Sequence, residues 1–359
     1  MNKNNIIPIF VPHMGCPHDC IFCNQRKITN FQDVLNEKEI FDNIDKYLLY
    51  FKNKNIPVEI AFYGGSFTGL DEELMIKYLN IAKYYINLGK VSSIRLSTRP
   101  DYINKHILDI LKIYNVKTIE LGVQSLNDNV LRLNERGHGA SCVYEASNLI
   151  KSYNITLGLQ MMVGLYGDNF ESCILTAYKI ASLKPDFVRI YPTLTIKDTK
   201  LEQLFYSNKY IPMNMEDTIE LCKYIYIIFD YYKIPIIRLG LQSSDNISEN
   251  GDIIAGAYHP AFRELVESRI YREIFKYYIN KFNIKENFNV TCANSEVSKV
   301  IGNKRENVVY LYRQHNLSLS TNIHFDDANI LYLNGNRIDR YDFIDYYFAK
   351  KILRRINET

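Results

Sequence analysis

The sequence lacks tryptophan and carries no strong excess of charge of either sign. Among its 359 residues, 43 lysines and arginines are balanced by 40 aspartates and glutamates, which leaves a formal net charge of +3. A balance so close to neutral does not by itself indicate a nucleic-acid-binding protein. Long apolar runs are also missing, because no stretch approaches the roughly 18 residues that a membrane span requires. No apolar segment with a cleavage site opens the chain, so we expect a cytoplasmic protein.

Cysteine is present in an odd number and is unevenly distributed. Three of the seven cysteines, Cys16, Cys20 and Cys23, fall within eight residues, whereas the other four are scattered. A disulfide framework is typical of small secreted chains with evenly spread, even-numbered cysteines. The spacing therefore indicates reduced thiols that bind a metal.

Short apolar runs alternate with longer helical patterns through the first two thirds of the chain. The predicted strands cover residues 7–11, 58–63, 93–97, 118–122, 156–162 and 187–191. Strands that alternate with helices are parallel and joined by right-handed crossovers. We therefore predict an α/β fold, a partial (β/α)6 barrel over residues 1–240, with a further strand near residues 236–240 that extends the sheet.

The remainder, residues 241–359, mixes predicted helices with short strands. We expect a small α+β extension there that could contribute to substrate binding, with one of its helical segments over residues 295–315. In β/α architectures the ligand site lies at the carboxyl ends of the strands. The polar and glycine-rich segments that follow the predicted strands should therefore meet in one cavity.

The cysteine cluster is predicted to lie in the loop after the first strand. Three thiolates on one tight loop can hold a [4Fe–4S] cluster and leave its fourth iron without a protein ligand. That iron can bind S-adenosylmethionine (SAM) for reductive cleavage to a 5′-deoxyadenosyl radical, with the electron supplied by a donor such as ferredoxin or flavodoxin. Cys16, Cys20 and Cys23 are therefore the predicted metal ligands and catalytic residues of a radical SAM enzyme.

A structural zinc site is the alternative, with His13 or His18 as a fourth ligand beside the three thiols. The position of the cysteines at the start of a long β/α domain favours the cluster, because structural zinc usually staples a small module.

Two neighbouring segments are candidates for SAM contacts. Phe22 could lie against the adenine, or could be an ordinary packing aromatic. Gly64 and Gly65, followed by Ser66, let the backbone approach a ligand closely, which suits the methionine part of SAM; a tight strand-to-helix turn is the other interpretation.

Five motifs follow in a specific order along the chain. They are TRPDY at residues 98–102, ELGVQS at 120–125, RGH at 136–138, MMVGL at 161–165 and RIYPTL at 189–194. This series closely resembles the radical SAM half of the Elongator catalytic subunit and its smaller bacterial relatives. The resemblance implies a radical SAM enzyme that modifies RNA, with tRNA as the expected partner.

The same resemblance implies roles for individual residues. Gln124 and Ser125 would line the SAM pocket, Arg136 would reach SAM or its carboxylate, and the backbone around Met162 would face the adenine. Gln124 could instead bond the next loop, and Arg136 could be a solvated charge at a helix end. An ion pair between Glu120 and Arg99 that ties adjacent strand ends is a further structural alternative.

Two departures from the family pattern limit what is transferred. The cysteine spacing is the commoner radical SAM form, shared with oxygen-independent coproporphyrinogen oxidase, and the acetyltransferase domain of the Elongator subunit has no counterpart, so acetyl transfer is not expected. A radical SAM enzyme for a small molecule such as a porphyrin precursor, and a non-catalytic metal-stabilised RNA-binding protein, are the alternatives. No feature indicates an oligomeric state.

A group of basic residues in the extension has two interpretations. Lys299, Lys304, Arg305 and Arg313 could form a face that holds RNA phosphates, or could belong to a solvated helix surface.

Overall fold

Alternating apolar strands and amphipathic helices build the first part of the structure. The computed structural model describes residues 4–11, 20–24, 35–53, 55–241, 251–285, 287–324 and 327–358. The strands of the main sheet are β1 (Asn5–Val11), β2 (Val58–Gly64), β3 (Ser93–Thr98), β4 (Val116–Gln124), β5 (Thr156–Val163), β6 (Phe187–Pro192) and β8 (Ile236–Leu239).

All neighbouring strands of this sheet are parallel. Their order is β1-β2-β3-β4-β5-β6-β8, and the sheet curls into a half-barrel. The predicted α/β partial barrel is thus confirmed, and β8 is the expected extra strand. Because all strands of the sheet run in the same direction, their carboxyl ends lie at one edge of the sheet.

The helices that connect the strands begin at residues suited to capping. They are α1 (Glu37–Tyr50), α2 (Glu72–Asn87), α3 (Lys105–Ile113), α4 (Asp128–Leu133), α5 (Ala140–Ser152), α6 (Phe170–Ser182) and α8 (Met215–Tyr231). All except α5 start after an Asn or Asp whose side chain accepts a hydrogen bond from the first turn. Such caps satisfy amide groups that have no partner inside the helix.

The two faces of the sheet differ in chemistry, because successive side chains of a strand point to opposite sides. Ile94 and Leu96 on β3 are fully buried in the hydrophobic core. Arg95 lies between them and contacts Glu59 of β2 and Glu120 of β4 on the other face. The interior of the half-barrel is therefore polar and charged.

A two-stranded ribbon covers part of the carboxyl edge of the sheet. Its strands, β7 (Leu194–Ile196) and β9 (Ile253–Gly256), pair antiparallel, and a short helix, α7 (Lys200–Tyr206), follows β7. The ribbon was not predicted from the sequence, since strands of three and four residues carry too little periodicity to be recognised.

The C-terminal part contains a long helix and a second sheet. Helix α9 (Phe262–Phe282) precedes a four-stranded sheet in the order β11-β10-β12-β13, and further helices surround it. The remaining elements are β10 (Phe288–Ala293), β11 (Leu319–His324), β12 (Ile330–Leu333), β13 (Asn336–Asp339), α10 (Val297–Ile301), α11 (Glu306–His315), α12 (Arg340–Tyr347) and α13 (Leu353–Glu358).

The helical segment predicted over residues 295–315 consists of two helices, because Gly302 interrupts it with a φ of +79°. A Cβ atom at this position would lie 2.7 Å from the Oγ of Ser268 on α9. The close approach of the two segments therefore requires glycine and separates α10 from α11.

Ion pairs connect the C-terminal part to the outer helices of the half-barrel. Arg340, at the start of α12, lies 3.2 Å from Asp230 of α8.

Among the described helices, none has the length and apolar content to span a membrane.

Candidate active site

One cavity opens at the carboxyl ends of the parallel strands. Its walls come from the cysteine loop, from the ends of β2 to β6 and from the β7 ribbon. It is lined by Cys20, Phe22, Cys23, Gly64, Gly65, Ser66, Ser97, Thr98, Arg99, Glu120, Gly122, Gln124, Arg136, Gln160, Met162, Tyr191, Pro192, Leu194, Ile196 and Leu241.

Two of the three predicted cluster ligands lie in this cavity. Cys20 and Cys23 lie on a tight turn and form no disulfide, and the amide of Cys23 donates to the carbonyl of Cys20 at 2.9 Å. Residue Ile21 holds this turn in place: its amide donates to Asn134 and its carbonyl accepts from Leu201. The thiols are therefore fixed at the mouth of the half-barrel.

Cys16 lies outside the described residues, and so do His13 and His18. Within the described ranges, no group of three His, Cys, Asp or Glu side chains is arranged to hold a metal ion. The two positioned thiols fit part of a three-cysteine cluster site, whose third ligand would have to come from the adjoining segment outside the described residues. Cys16 is the cysteine of that segment.

The predicted SAM-contacting residues of the first two loops lie on the same cavity. Phe22 lines it and also packs on a small apolar cluster with Ile21 and Tyr210. Gly64 ends β2, Gly65 and Ser66 follow it, and the amide of Gly65 donates to the carbonyl of Val11 in β1. Both interpretations of Phe22, ligand contact and packing, are compatible with this position.

Gln124 has a strained backbone and an unpaired buried oxygen. Its φ is +66°, at an irregularity in the pairing of β4 with β5, and its side chain turns into the cavity. The residue is 6% exposed, yet its Oε1 atom has no hydrogen-bond partner. A buried acceptor without a partner is costly, so this atom indicates a polar ligand in the cavity.

Ser125, the next residue, does not line the cavity. It is buried, and its hydroxyl accepts a hydrogen bond from the amide of Asn127 and lies 3.4 Å from the hydroxyl of Thr176 on α6. The irregularity that turns Gln124 inward directs Ser125 toward the helix layer. The structure therefore places Ser125 in a packing position rather than in the predicted SAM pocket.

Arg136 lies beside the cysteine loop and is only 5% exposed. Its Nη1 donates to the Sγ of Cys20 at 3.2 Å, and its Nη2 donates to the carbonyl of Gly122 at 2.6 Å. A solvated helix-end charge, one of the two sequence-based interpretations, is thus wrong. The residue follows the C-terminus of α4, where its amide closes the turn by donating to Leu131.

The predicted ion pair between Arg99 and Glu120 is also wrong. Arg99 lies one residue beyond β3 and donates two hydrogen bonds to Asp101, at 2.9 and 2.8 Å. Burial of Asp101 opposes ionisation, but the hydrogen bond and the charge of Arg99 prevail and lower the pKa of this carboxyl. His138, whose Nε2 lies 3.3 Å from the Nη2 of Arg136, has its pKa lowered to about 4 by burial and by the charge of Arg136.

Glu120 instead joins a charged network inside the half-barrel. Its carboxylate lies 3.1 Å from Arg95 Nη1 and 2.5 Å from Arg189 Nε, and it accepts from the hydroxyl of Tyr63 at 3.3 Å. Burial, together with the charge of Glu120, raises the pKa of Tyr63. Tyr63 is therefore a hydrogen-bonding phenol and not a phenolate.

A glycine makes room for this network. A Cβ atom at Gly158 on β5 would lie 2.3 Å from the ring of Phe187 and 3.1 Å from the Cγ of Glu120.

Three residues of the network were not predicted from the sequence: Glu59, Arg95 and Tyr63. A signal for its ion pairs was present, because charged residues inside the apolar runs of buried strands need partners.

The opposite side of the cavity is more apolar. Met162 of β5 lines it, together with Leu194 and Ile196 of the ribbon and with Tyr191, whose hydroxyl accepts from Arg189 at 3.4 Å. His259 has a structural contact, since its Nδ1 accepts a hydrogen bond from the amide of Ala261 just before α9.

The basic residues of the extension fall into two groups. The ammonium of Lys299 lies 2.9 Å from Glu296 and 3.1 Å from Glu267, so these two carboxylates neutralise its charge. The other three are exposed on or before α11, on the same short segment as the exposed Tyr312: Lys304, Arg305 and Arg313.

Comparisons with known proteins cover most of the chain. Residues 10–177 match the radical SAM superfamily, and residues 185–272 match the radical SAM C-terminal domain. The chain also shares its fold with a solved structure, the archaeal Methanocaldococcus infernus Elp3 with an N-terminal deletion. That similarity has a TM-score of 0.59 at 17% identity and covers 94% of this chain and 77% of the other.

Related sequences carry names that refer to tRNA or to Elongator. An uncharacterized protein of Methanocaldococcus jannaschii is 28% identical over 66% of this chain and 74% of its own length. The tRNA uridine(34) acetyltransferase of the same organism is 26% identical over 61% of this chain and 48% of its own length. Human Elongator complex protein 3 is 32% identical over 46% of this chain and 34% of its own length. The chain thus spans about half or less of these last two relatives.

Proposed function

The chain belongs to the radical SAM superfamily, whose members use a [4Fe–4S] cluster and SAM, and on this basis we propose that it is a radical SAM enzyme that modifies tRNA. When bound, the cluster and SAM supply a 5′-deoxyadenosyl radical that can abstract hydrogen from an unactivated position. The protein's task is to hold both groups, to orient the substrate and to exclude water.

The cluster ligands in this proposal are Cys16, Cys20 and Cys23. The two thiols of Cys20 and Cys23 support it, because they lie together on a turn anchored to the barrel and face the cavity. Reduced, closely spaced thiolates suit iron and sulfide and leave one cluster position for a ligand that the protein does not supply.

The SAM-binding residues in this proposal surround that position. The backbone of Gly64 and Gly65, with Ser66, would hold the methionine part, while Phe22 and Met162 would lie beside the adenine. The single observation that carries the proposal is the buried Oε1 atom of Gln124, which turns into the cavity without a partner. A hydroxyl of the SAM ribose would satisfy it.

The tRNA substrate is proposed from the names of the relatives and from a surface. One short segment exposes three basic side chains, Lys304, Arg305 and Arg313, and each could contact a phosphate. Tyr312 on the same segment could stack on a base. The proposal does not include acetyl transfer, because the chain matches only 48% of the acetyltransferase from Methanocaldococcus jannaschii. A low-potential ferredoxin or flavodoxin is the expected electron donor.

Anaerobic SAM cleavage, assayed with and without total tRNA from the source organism, tests this function. We expect 5′-deoxyadenosine to form with a chemical reductant, and tRNA to accelerate its formation. Mass spectrometry of tRNA from a strain without the gene should show the loss of one modified nucleoside. Unchanged rates with tRNA, together with an unchanged nucleoside profile, would contradict the tRNA substrate.

A further inference from the structure

The guanidinium of Arg136 contacts a predicted cluster ligand directly. Its Nη1 donates to the Sγ of Cys20 at 3.2 Å, in a position where the arginine is 5% exposed. Such a contact differs from the role that the family resemblance implied, which was to reach SAM or its carboxylate. A donor aimed at a thiolate sulfur acts on the cluster itself.

Three contacts fix the orientation of Arg136. Its Nη2 donates to the carbonyl of Gly122 at 2.6 Å and lies 3.3 Å from the Nε2 of His138. Its own carbonyl accepts a hydrogen bond from the guanidinium of Arg99. Because both the backbone and the side chain are held, the Nη1 group is preorganised toward Cys20.

The positive charge of Arg136 has no partner carboxylate in the part of the chain that the structure describes. Arg99, its neighbour, is paired with Asp101, whereas no described Asp or Glu lies within ion-pair distance of Arg136. The neighbouring imidazole of His138 stays neutral near pH 7, because its pKa is lowered to about 4 by burial and by Arg136. Among the described residues, this buried cation thus lies against the cysteine loop without a carboxylate partner.

A buried cation in this position suits an anionic cluster. A [4Fe–4S] cluster with three thiolate ligands is negatively charged when oxidised and gains another negative charge when reduced. Hydrogen bonds to the sulfurs and nearby charges are among the factors that set the potential of such clusters. A positive charge in a largely water-free site favours the reduced form more than the oxidised form, because the attraction grows with the charge of the cluster.

We propose that Arg136 is a positioning residue that raises the reduction potential of the cluster through its hydrogen bond to the Cys20 sulfur and its positive charge. This inference rests on the proposed function, because it requires the cluster on Cys16, Cys20 and Cys23. It separates Arg136 from SAM binding, so its effect must be present when SAM is absent.

Redox titration of the reconstituted protein without SAM, followed by electron paramagnetic resonance, tests the inference. Arg136→Gln removes the charge, and Arg136→Lys keeps the charge but loses the planar pair of donors. Arg132→Gln is the matched control, because Arg132 lies on nearby α4 but is exposed and donates to Asn129. All proteins are first assayed for iron, sulfide and visible absorption.

At a fixed potential we expect the ratio of reduced to oxidised cluster in Arg136→Gln to fall at least tenfold. For one electron this corresponds to a midpoint potential about 59 mV lower. Arg136→Lys should show a smaller fall of at least threefold, and Arg132→Gln should match the wild type. If the glutamine variant does not fold, the lysine variant decides by the same comparison.

Failure of the inference is distinct from failure of the proposed function. Wild-type protein that accepts no iron and sulfide would refute the cluster, and with it the role of Arg136. An intact wild-type cluster whose potential is unchanged or raised in the Arg136 variants would refute only the effect of Arg136. Weaker SAM binding without a change in potential would return Arg136 to the SAM carboxylate and also overturn the inference.

Discussion

Replacement of Glu120 with glutamine tests the charged network inside the half-barrel. The substitution keeps the size of the side chain but removes the charge of a carboxylate that is 4% exposed. Arg95 would retain Glu59 at 2.9 Å, whereas Arg189 would lose the only carboxylate within ion-pair distance in the described part of the chain. The cost should therefore arise mainly at Arg189.

Breaking a buried ion pair by removal of one partner costs about 3–5 kcal/mol. Because Arg95 keeps a partner and glutamine can still accept one hydrogen bond, we expect a loss near the lower limit, about 3 kcal/mol. Glu135→Gln is the matched control, since Glu135 pairs with Lys200 where both side chains are about half exposed. Such surface pairs contribute roughly 0–1 kcal/mol.

Urea unfolding followed by circular dichroism measures these free energies, since the chain has no tryptophan to serve as a fluorescent probe. The double variant Glu120→Gln, Arg189→Gln should be more stable than the sum of the two single losses predicts, because it buries no unpaired charge. A loss below about 1 kcal/mol for Glu120→Gln, or strict additivity in the double variant, would refute this account of the network.

Three further predictions concern the cavity and the extension. Gln124→Ala should weaken SAM binding by about 1 kcal/mol, roughly fivefold in Kd, at unchanged iron content, and an unaltered Kd in equilibrium dialysis would contradict the role of its Oε1 atom. Changing Lys304, Arg305 and Arg313 together to glutamine should reduce the slope of log K against log salt for tRNA binding by about 2, whereas an equal slope would exclude this surface. The pKa of His138 is about 4 in the folded chain, against an ordinary value of 6.5. The free energy of unfolding should therefore fall as the pH drops from 6.5 toward 4, and it should fall less in His138→Asn. Identical pH profiles of stability for the two proteins would contradict this effect.

The outline of the fold is predictable from the sequence, because apolar runs of strand and helix length alternate with regular spacing. The break at Gly302 was not predictable, since it depends on the approach of Ser268 from a distant helix. The ribbon of β7 and β9 was not predictable for a related reason. Its short strands are stabilised by pairing across more than fifty residues of sequence, and no local sequence pattern marks them.

The position of the candidate site in the fold was predictable from the sequence, whereas the contacts of several of its side chains were not. Motif order brought Gln124 and Met162 to the strand ends, where the structure places both on the cavity. Ser125 was misplaced because a local irregularity in β4 decides which side chain turns inward. The contacts of Arg136 were not predictable either, since the Sγ of Cys20 and the carbonyl of Gly122 approach it only in the tertiary structure.

Iron and sulfide analysis of anaerobically reconstituted protein tests the central claim most directly. We predict about four irons and four sulfides per chain, a paramagnetic signal after reduction that changes when SAM is added, and loss of the cluster when Cys20 or Cys23 is replaced by alanine. One zinc per chain, with no iron or sulfide after reconstitution, would contradict the account.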